Sequence, residues 1–116
     1  MYRVYLADHF LRQLKRYVKK YHSLRDDLLV TLEHFHPESA QYLGGKLYKL
    51  RLRSHDLSKG KNKSFRLILF LVEINSVIIP VTIYYKGDRS DIQDDEIEYH
   101  LSMVLMDIQQ KKFSSR

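Results

Sequence analysis

Apolar and polar residues alternate along this chain at two different periods, and the points where the period changes mark out its elements. Tyr2–Leu6 alternates weakly, as a short strand does. Phe10, Leu14, Tyr17, Val18 and Tyr21 then recur at helical spacing and form one apolar stripe, with Arg12, Lys15, Arg16, Lys19 and Lys20 outside it. Asp8 stands where a helix N-cap is expected. Ser23 followed by Asp26 reads as a capping box with Asp in place of the usual Glu. Leu24, Leu28, Leu29, Leu32 and Phe35 give a second amphipathic helix, which Pro37 ends because it cannot continue the hydrogen-bond ladder. A helical hairpin therefore follows the first strand.

After a turn at Gly44–Gly45 the period becomes two. Over 46–53, Tyr48, Leu50 and Leu52 alternate with Lys49, Arg51 and Arg53, which predicts a strand with one buried face and three cations about 7 Å apart on the other. A polar loop, 54–64, carries Lys59, Gly60, Lys61 and Lys63. Phe65–Val72 is apolar at every position but Arg66, so a central strand covered on both faces is expected. Glu73–Asn75 turns the chain into a last strand, Val77–Tyr85. Pro80 lacks the donor a central ladder needs and is expected near that strand's start or at a bulge. Asp91 with Asp94 opens the final helix, striped by Ile97, Leu101, Val104, Leu105 and Ile108. Its acids Asp94, Asp95, Glu96 and Glu98 lie near the positive end of the dipole. Residues 111–116 read as a frayed tail. The order is β-α-α-β-β-β-α, an α+β domain over 1–110. It comprises a small mixed four-stranded sheet, an N-terminal helical hairpin and a C-terminal helix.

Composition narrows the function. The chain has 116 residues and no cysteine, which excludes disulfides, thiol nucleophiles and cysteine metal sites. No stretch is apolar enough to span a bilayer, and the start lacks an apolar signal segment, so a cytoplasmic protein is expected. The formal charge of +6 is segregated. Residues 44–89 hold ten Lys or Arg against Asp56, Glu73 and Asp88, and the remainder is close to neutral. A segregated excess makes a local field that draws in polyanions, and RNA or DNA phosphates are the expected target; an acidic protein partner fits the same field.

The candidate chemistry follows from that surface. Arg66 opens a rigid strand, and its planar fork suits two phosphate oxygens. Arg51 and Arg53 share a strand face and can hold successive phosphates. Proton transfer needs other groups. Lys86 qualifies only if clustered cations lower its pKa, whereas an imidazole titrates near pH 6.5 and makes His55 a candidate, with His100 behind it. Tyr84 and Tyr85 point to opposite faces of a regular strand, so one reaches the basic face and the other the core. The six histidines show no metal-binding spacing, Lys59-Gly60-Lys61 is not a P-loop, and no carboxylate pair stands out.

Several stretches in order, LYKLRLRS at 47–54, SKGKNKSFRLILFLVE at 58–73, TIYYKGDRSDI at 82–92 and DDEIEYHLSMVL at 94–105, resemble the RelE/ParE superfamily of toxins from toxin–antitoxin modules. The resemblance covers residues 2–109 and is closer to the RelE-like branch. It implies a cofactor-free, metal-independent endoribonuclease that cuts messenger RNA, commonly in the ribosome, and is held by a cognate antitoxin, as a monomer or a toxin–antitoxin hetero-oligomer. ParE-like gyrase inhibition and non-catalytic nucleic-acid binding are the alternatives. By this resemblance Arg51, Arg53, Arg66, Lys86 and Tyr85 are catalytic candidates, joined by His55. Lys49, Lys59, Lys61, Lys63, Tyr84 and Arg89 are candidate RNA contacts. The sequence shows no clear His–acid pair of the kind certain relatives use, and only Phe113 stands near the tail position where some carry a tyrosine.

Overall fold

A computed structural model describes residues 2–55 and 64–114. The elements are β1 (Arg3–Val4), α1 (Asp8–Val18), α2 (Leu24–Glu33), β2 (Gln41–Gly44), β3 (Leu47–Leu52), β4 (Phe65–Val72), β5 (Val77–Tyr85) and α3 (Asp94–Ser114), with 3-10 turns at Pro37–Ser39 and Glu73–Asn75. The strands lie in the order β1-β5-β4-β3-β2. β1 runs parallel to β5 at one edge, and every other pair is antiparallel. The α+β class, the helical hairpin and the mixed sheet are those the sequence predicts, with one strand more than the four expected. β2 pairs with β3 through a turn in which Gly44, Gly45 and Lys46 all take positive φ, at 93°, 59° and 68°. At Gly44 and Gly45 the missing Cβ removes the steric cost of that left-handed path, which only Lys46 of the three bears.

β4 is apolar on both sides because both are covered. Leu67, Leu69 and Leu71, with Leu52 and Phe65, meet Phe10, Leu14, Leu24, Leu28, Leu32 and Phe35 of the helical hairpin. On the other face Ile68, Val81 and Tyr84 pack with Ile92 and Ile97, while Ile79 meets Ala7 and Val104. Pro80 sits at a bulge: Ile68 opposes Thr82 but Leu69 opposes Pro80, so the ladder skips a residue where the donor is missing. No helix among the described residues is long and apolar enough to cross a membrane.

Local details differ from the sequence reading. Ala7, not Asp8, occupies the N-cap of α1, and Asp8 lies in the first turn, where its charge still meets the positive end. Leu29 and Leu105 are exposed beside their stripes rather than within them. Helix α3 runs on through the start of the expected tail. Ser23 stands at the N-cap of α2, but no cap bond forms; its hydroxyl instead donates to the Asp27 carboxylate at 2.9 Å.

Asp27 is buried and also accepts from the His55 backbone N–H at 3.0 Å and from His55 Nδ1 at 2.5 Å. Burial alone would raise its pKa; the His55 amide, the Ser23 hydroxyl and the His55 ring outweigh burial and hold it low. A depressed carboxyl contributes stability above its unfolded pKa, near 3.9, and loses it as pH falls through the folded value. Asp27→Ala should therefore cost about 2–4 kcal/mol near neutral pH, since charge-assisted bonds are lost. In urea unfolding the gap to the parent should narrow as pH drops below about 4. A gap that stays constant down to low pH would mean that the ionised carboxylate contributes nothing.

Candidate functional site

Strand register assembles a row of side chains that sequence alternation alone does not reveal. Arg51 of β3 is directly opposite Arg66 of β4, which is directly opposite Tyr84 of β5. Their neighbours Leu50, Leu52, Phe65, Leu67, Ile83 and Tyr85 belong to the core under the helical hairpin, so the row faces the other way. Arg66 is 7% exposed. Its Nη1 donates to Ser64 Oγ and, at 3.4 Å, to the Phe65 carbonyl, and no carboxylate among the described residues pairs with it. Burial and then the Arg51 charge pull its pKa down, while Tyr84 opposes them. The Tyr84 hydroxyl is itself buried without a hydrogen-bond partner among the described residues.

Lys49 lies on the same face as Arg51, and its Nζ is 2.8 Å from Asp91 Oδ1. Burial acts to lower the Lys49 pKa, but Asp91 and the adjacent Tyr84 phenol raise it, so Lys49 remains an ammonium at neutral pH and supplies charge rather than a base. Lys49 in turn holds the Asp91 carboxyl low, helped by the Ile92 amide and by the charge of Lys86. The Lys86 backbone N–H donates to the Ser64 carbonyl at 3.0 Å, fixing the end of β5 to the residue that supports Arg66. Arg89 forms a two-pronged pair with Glu96, at 2.9 and 2.8 Å, and lies 5.5 Å from the Tyr84 ring. It braces the loop after β5 against α3.

The remaining candidates are dispersed. Tyr85 faces the helical hairpin, its ring 5.4 Å from Phe65 and 5.9 Å from Tyr21. A Cβ at Gly87 would come within 2.3 Å of that ring, so the glycine is what lets the chain turn over it. Arg53 is exposed just past the end of β3. His100 is hydrogen-bonded to His9, between α3 and α1. Lys59, Lys61 and Lys63 lie outside the described residues.

A His–acid pair does exist, contrary to the sequence reading. Buried Asp27 accepts from Nδ1 of His55, whose side chain is 86% exposed. A carboxylate on Nδ1 leaves the lone pair on Nε2, the tautomer a general base needs. Because Leu52 is opposite Phe65, His55 comes at the end of the β3–β4 pair that carries Ser64 and Arg66. Asp27 is the residue that sequence reasoning passed over. The available signal was an acid set among Leu24, Leu28 and Leu32 on the buried side of α2.

Against known proteins, no family model matches the sequence and no curated protein matches it. Among solved structures the chain is similar to a double mutant of the Escherichia coli toxin RelE in the free state, at 18% identity and a TM-score of 0.49, over 77% of this chain and 87% of that one. It is also similar to a chain of the intact E. coli RelBE toxin–antitoxin complex, at 16% identity and a TM-score of 0.49, over 72% of this chain and 94% of that one.

Proposed function

We propose that this protein is the toxin of a toxin–antitoxin pair and cuts messenger RNA without a metal, with the ribosome as one setting for the cut. Arg66 carries the reading. A guanidinium buried with no carboxylate partner among the described residues, directly across from a second guanidinium, is costly twice over: in desolvation and in like-charge repulsion. A phosphodiester between them would relieve both costs, and the forks of Arg51 and Arg66 suit its non-bridging oxygens. The sequence resemblance supplies the substrate class.

In this reading the RNA crosses the end of the β3–β4 pair, where His55 Nε2, its ring positioned by Asp27 from the hairpin side, takes the proton of a ribose 2′-hydroxyl. The 2′-oxygen attacks the adjacent phosphorus as the bond to the 5′-oxygen breaks, and Lys86 gives the departing oxygen its proton. The products are a 2′,3′-cyclic phosphate and a 5′-hydroxyl end. Arg66 and Arg51 stabilise the charge that grows on the phosphorane, while Lys49 and Arg53 attract neighbouring phosphates. An acidic or amphipathic antitoxin would occupy the same basic face, and co-purification with the product of the neighbouring gene tests for it.

The deciding experiment maps message ends by primer extension on translating ribosomes, beside a gyrase supercoiling assay. Cut messages with 5′-hydroxyl ends are expected. Intact messages with blocked supercoiling would favour the ParE-like reading, and intact messages with normal supercoiling a non-catalytic binding module. His55→Gln should lower cleavage by about a hundredfold, the usual scale of a lost general base. Asp27→Asn should lower it by less and alter the pH profile, and an unchanged profile would remove the pair from the mechanism.

A further inference from the structure

A cavity of about 310 Å³ opens between α1, the end of β5 and α3, on the far side of Tyr84 from the Arg51–Arg66 row. Its volume falls at the low end of small-ligand pockets. His9, Gln13 and Arg16 of α1 and Tyr99 and His100 of α3 line it. His9 Nε2 and His100 Nδ1 are 2.8 Å apart, so one ring donates to the other, and the Tyr99 ring packs edge-on against both. We propose that this cavity is a proton-linked binding site for a phosphate monoester or similar dianion, held by Arg16 and the His9–His100 pair. The proposal does not depend on the ribonuclease reading.

The charges around the pair support it. From α1, Arg12 and Arg16 face His9 and Arg16 also faces His100, as does Arg89 from the loop after β5. From α3, Asp107 faces His9 and Glu96 faces His100, and Tyr84 of β5 forms an uncharged wall. Both acids are already engaged, Asp107 by the His9 backbone N–H at 2.7 Å and Glu96 by the fork of Arg89. Arg16 forms no ion pair among the described residues, and its field reaches both rings. Of the charged groups that line the cavity, Arg89 is matched by Glu96 and Arg16 is left over, so the cavity is positive even with neutral imidazoles. In keeping with this, the pKa of each histidine is lowered, first by burial and then, for His9, by His100 and Arg12; at His100 the Glu96 carboxylate opposes burial and the arginines add to it.

A bound dianion reverses that balance. One proton taken up by the pair is shared along the 2.8 Å bond and adds a unit charge beside the ligand. By linkage, an anion that prefers the protonated pair raises the pair's apparent pKa by the logarithm of that preference. Gln13 anchors the floor, its amide donating to the Val81 carbonyl at 3.2 Å and its oxygen accepting from Thr82.

The test uses the full chain and three probes: sulfate, inorganic phosphate and adenosine monophosphate. Sulfate keeps its charge from pH 5.5 to pH 8, so the pH dependence of its affinity reports the protein's own groups. Imidazole NMR signals of His9 and His100 should move on titration with sulfate, with affinity about tenfold higher at pH 5.5 than at pH 8. Arg16→Gln, a change at an exposed position, should weaken binding by about tenfold, and His100→Gln should remove the pH dependence. Adenosine monophosphate then separates the sources: affinity well above that of inorganic phosphate assigns the site to nucleotides or RNA ends, and equal affinity assigns it to free phosphate. Imidazole signals that ignore tens of millimolar sulfate, or undiminished binding by Arg16→Gln, would overturn the proposal.

Discussion

Replacing Arg66 with glutamine should reduce message cleavage by about a hundredfold or more, the scale seen when a preorganised charge is removed from a transition state. The protein should meanwhile remain as stable as the parent or become slightly more so. The two effects together are what identify the role. Were Arg66 structural, its loss would lower stability. Here the guanidinium is buried, its hydrogen bonds among the described residues go to Ser64 and the Phe65 carbonyl, and it faces Arg51, so the free protein gains when the charge goes. Arg66→Lys should fall between the two, because it keeps the charge but loses the fork that grips two oxygens. Urea unfolding and primer extension on the same preparations read both quantities. A glutamine variant that cuts like the parent, or one inactive only because it is unfolded, would remove Arg66 from the chemistry.

Much of the scaffold behind that result was legible in the sequence. The helical stripes of the hairpin, the run after Ser64 that is apolar but for Arg66, and a proline expected near a strand's start or at a bulge are local signals. Each reports burial that the structure contains. β2 was not legible, because Gln41, Tyr42 and Leu43 are exposed and show no alternation to read. The site itself was half legible. Alternation placed Lys49 and Arg51 on one face, but Asp91 then engages Lys49, and Arg53 falls beyond the strand. The row that matters runs across the strands rather than along one, and it depends on a register of β3, β4 and β5 that no window of sequence contains. The same register decides between Tyr84 and Tyr85, whose opposite orientations were predictable but not which way each faced. The Asp27–His55 pair joins residues 28 positions apart through tertiary structure alone.

Phe65→Ala should cost about 3–5 kcal/mol, as full truncation of a buried aromatic ring typically does. Phe65 is fully buried where β4 begins, with ring centroids of Tyr17, Tyr21 and Tyr85 at 5.0, 5.2 and 5.4 Å. The Tyr17 and Tyr21 contacts are edge-to-face, the favoured aromatic geometry, and they connect the far end of the helical hairpin to the sheet. A domain of this size has about 5–15 kcal/mol in all, so the loss brings it close to unfolding. The site depends on the same ring. Leu52, Phe65 and Tyr85 stand side by side across β3, β4 and β5, while Ser64 and Arg66 flank Phe65 and point away from it. Holding the ring from one face thus fixes the guanidinium presented on the other. Phe65→Leu keeps most of the apolar volume and should fold, at a cost of about 1–2 kcal/mol. Its cleavage should nonetheless fall by more than its stability loss explains, because small shifts of a positioned group are expensive in catalysis. A Phe65→Ala protein within about 1 kcal/mol of the parent would contradict the packing argument. A folded Phe65→Leu protein with undiminished cleavage would show that Arg66 is held by its own strand and not by the aromatic cluster beneath it.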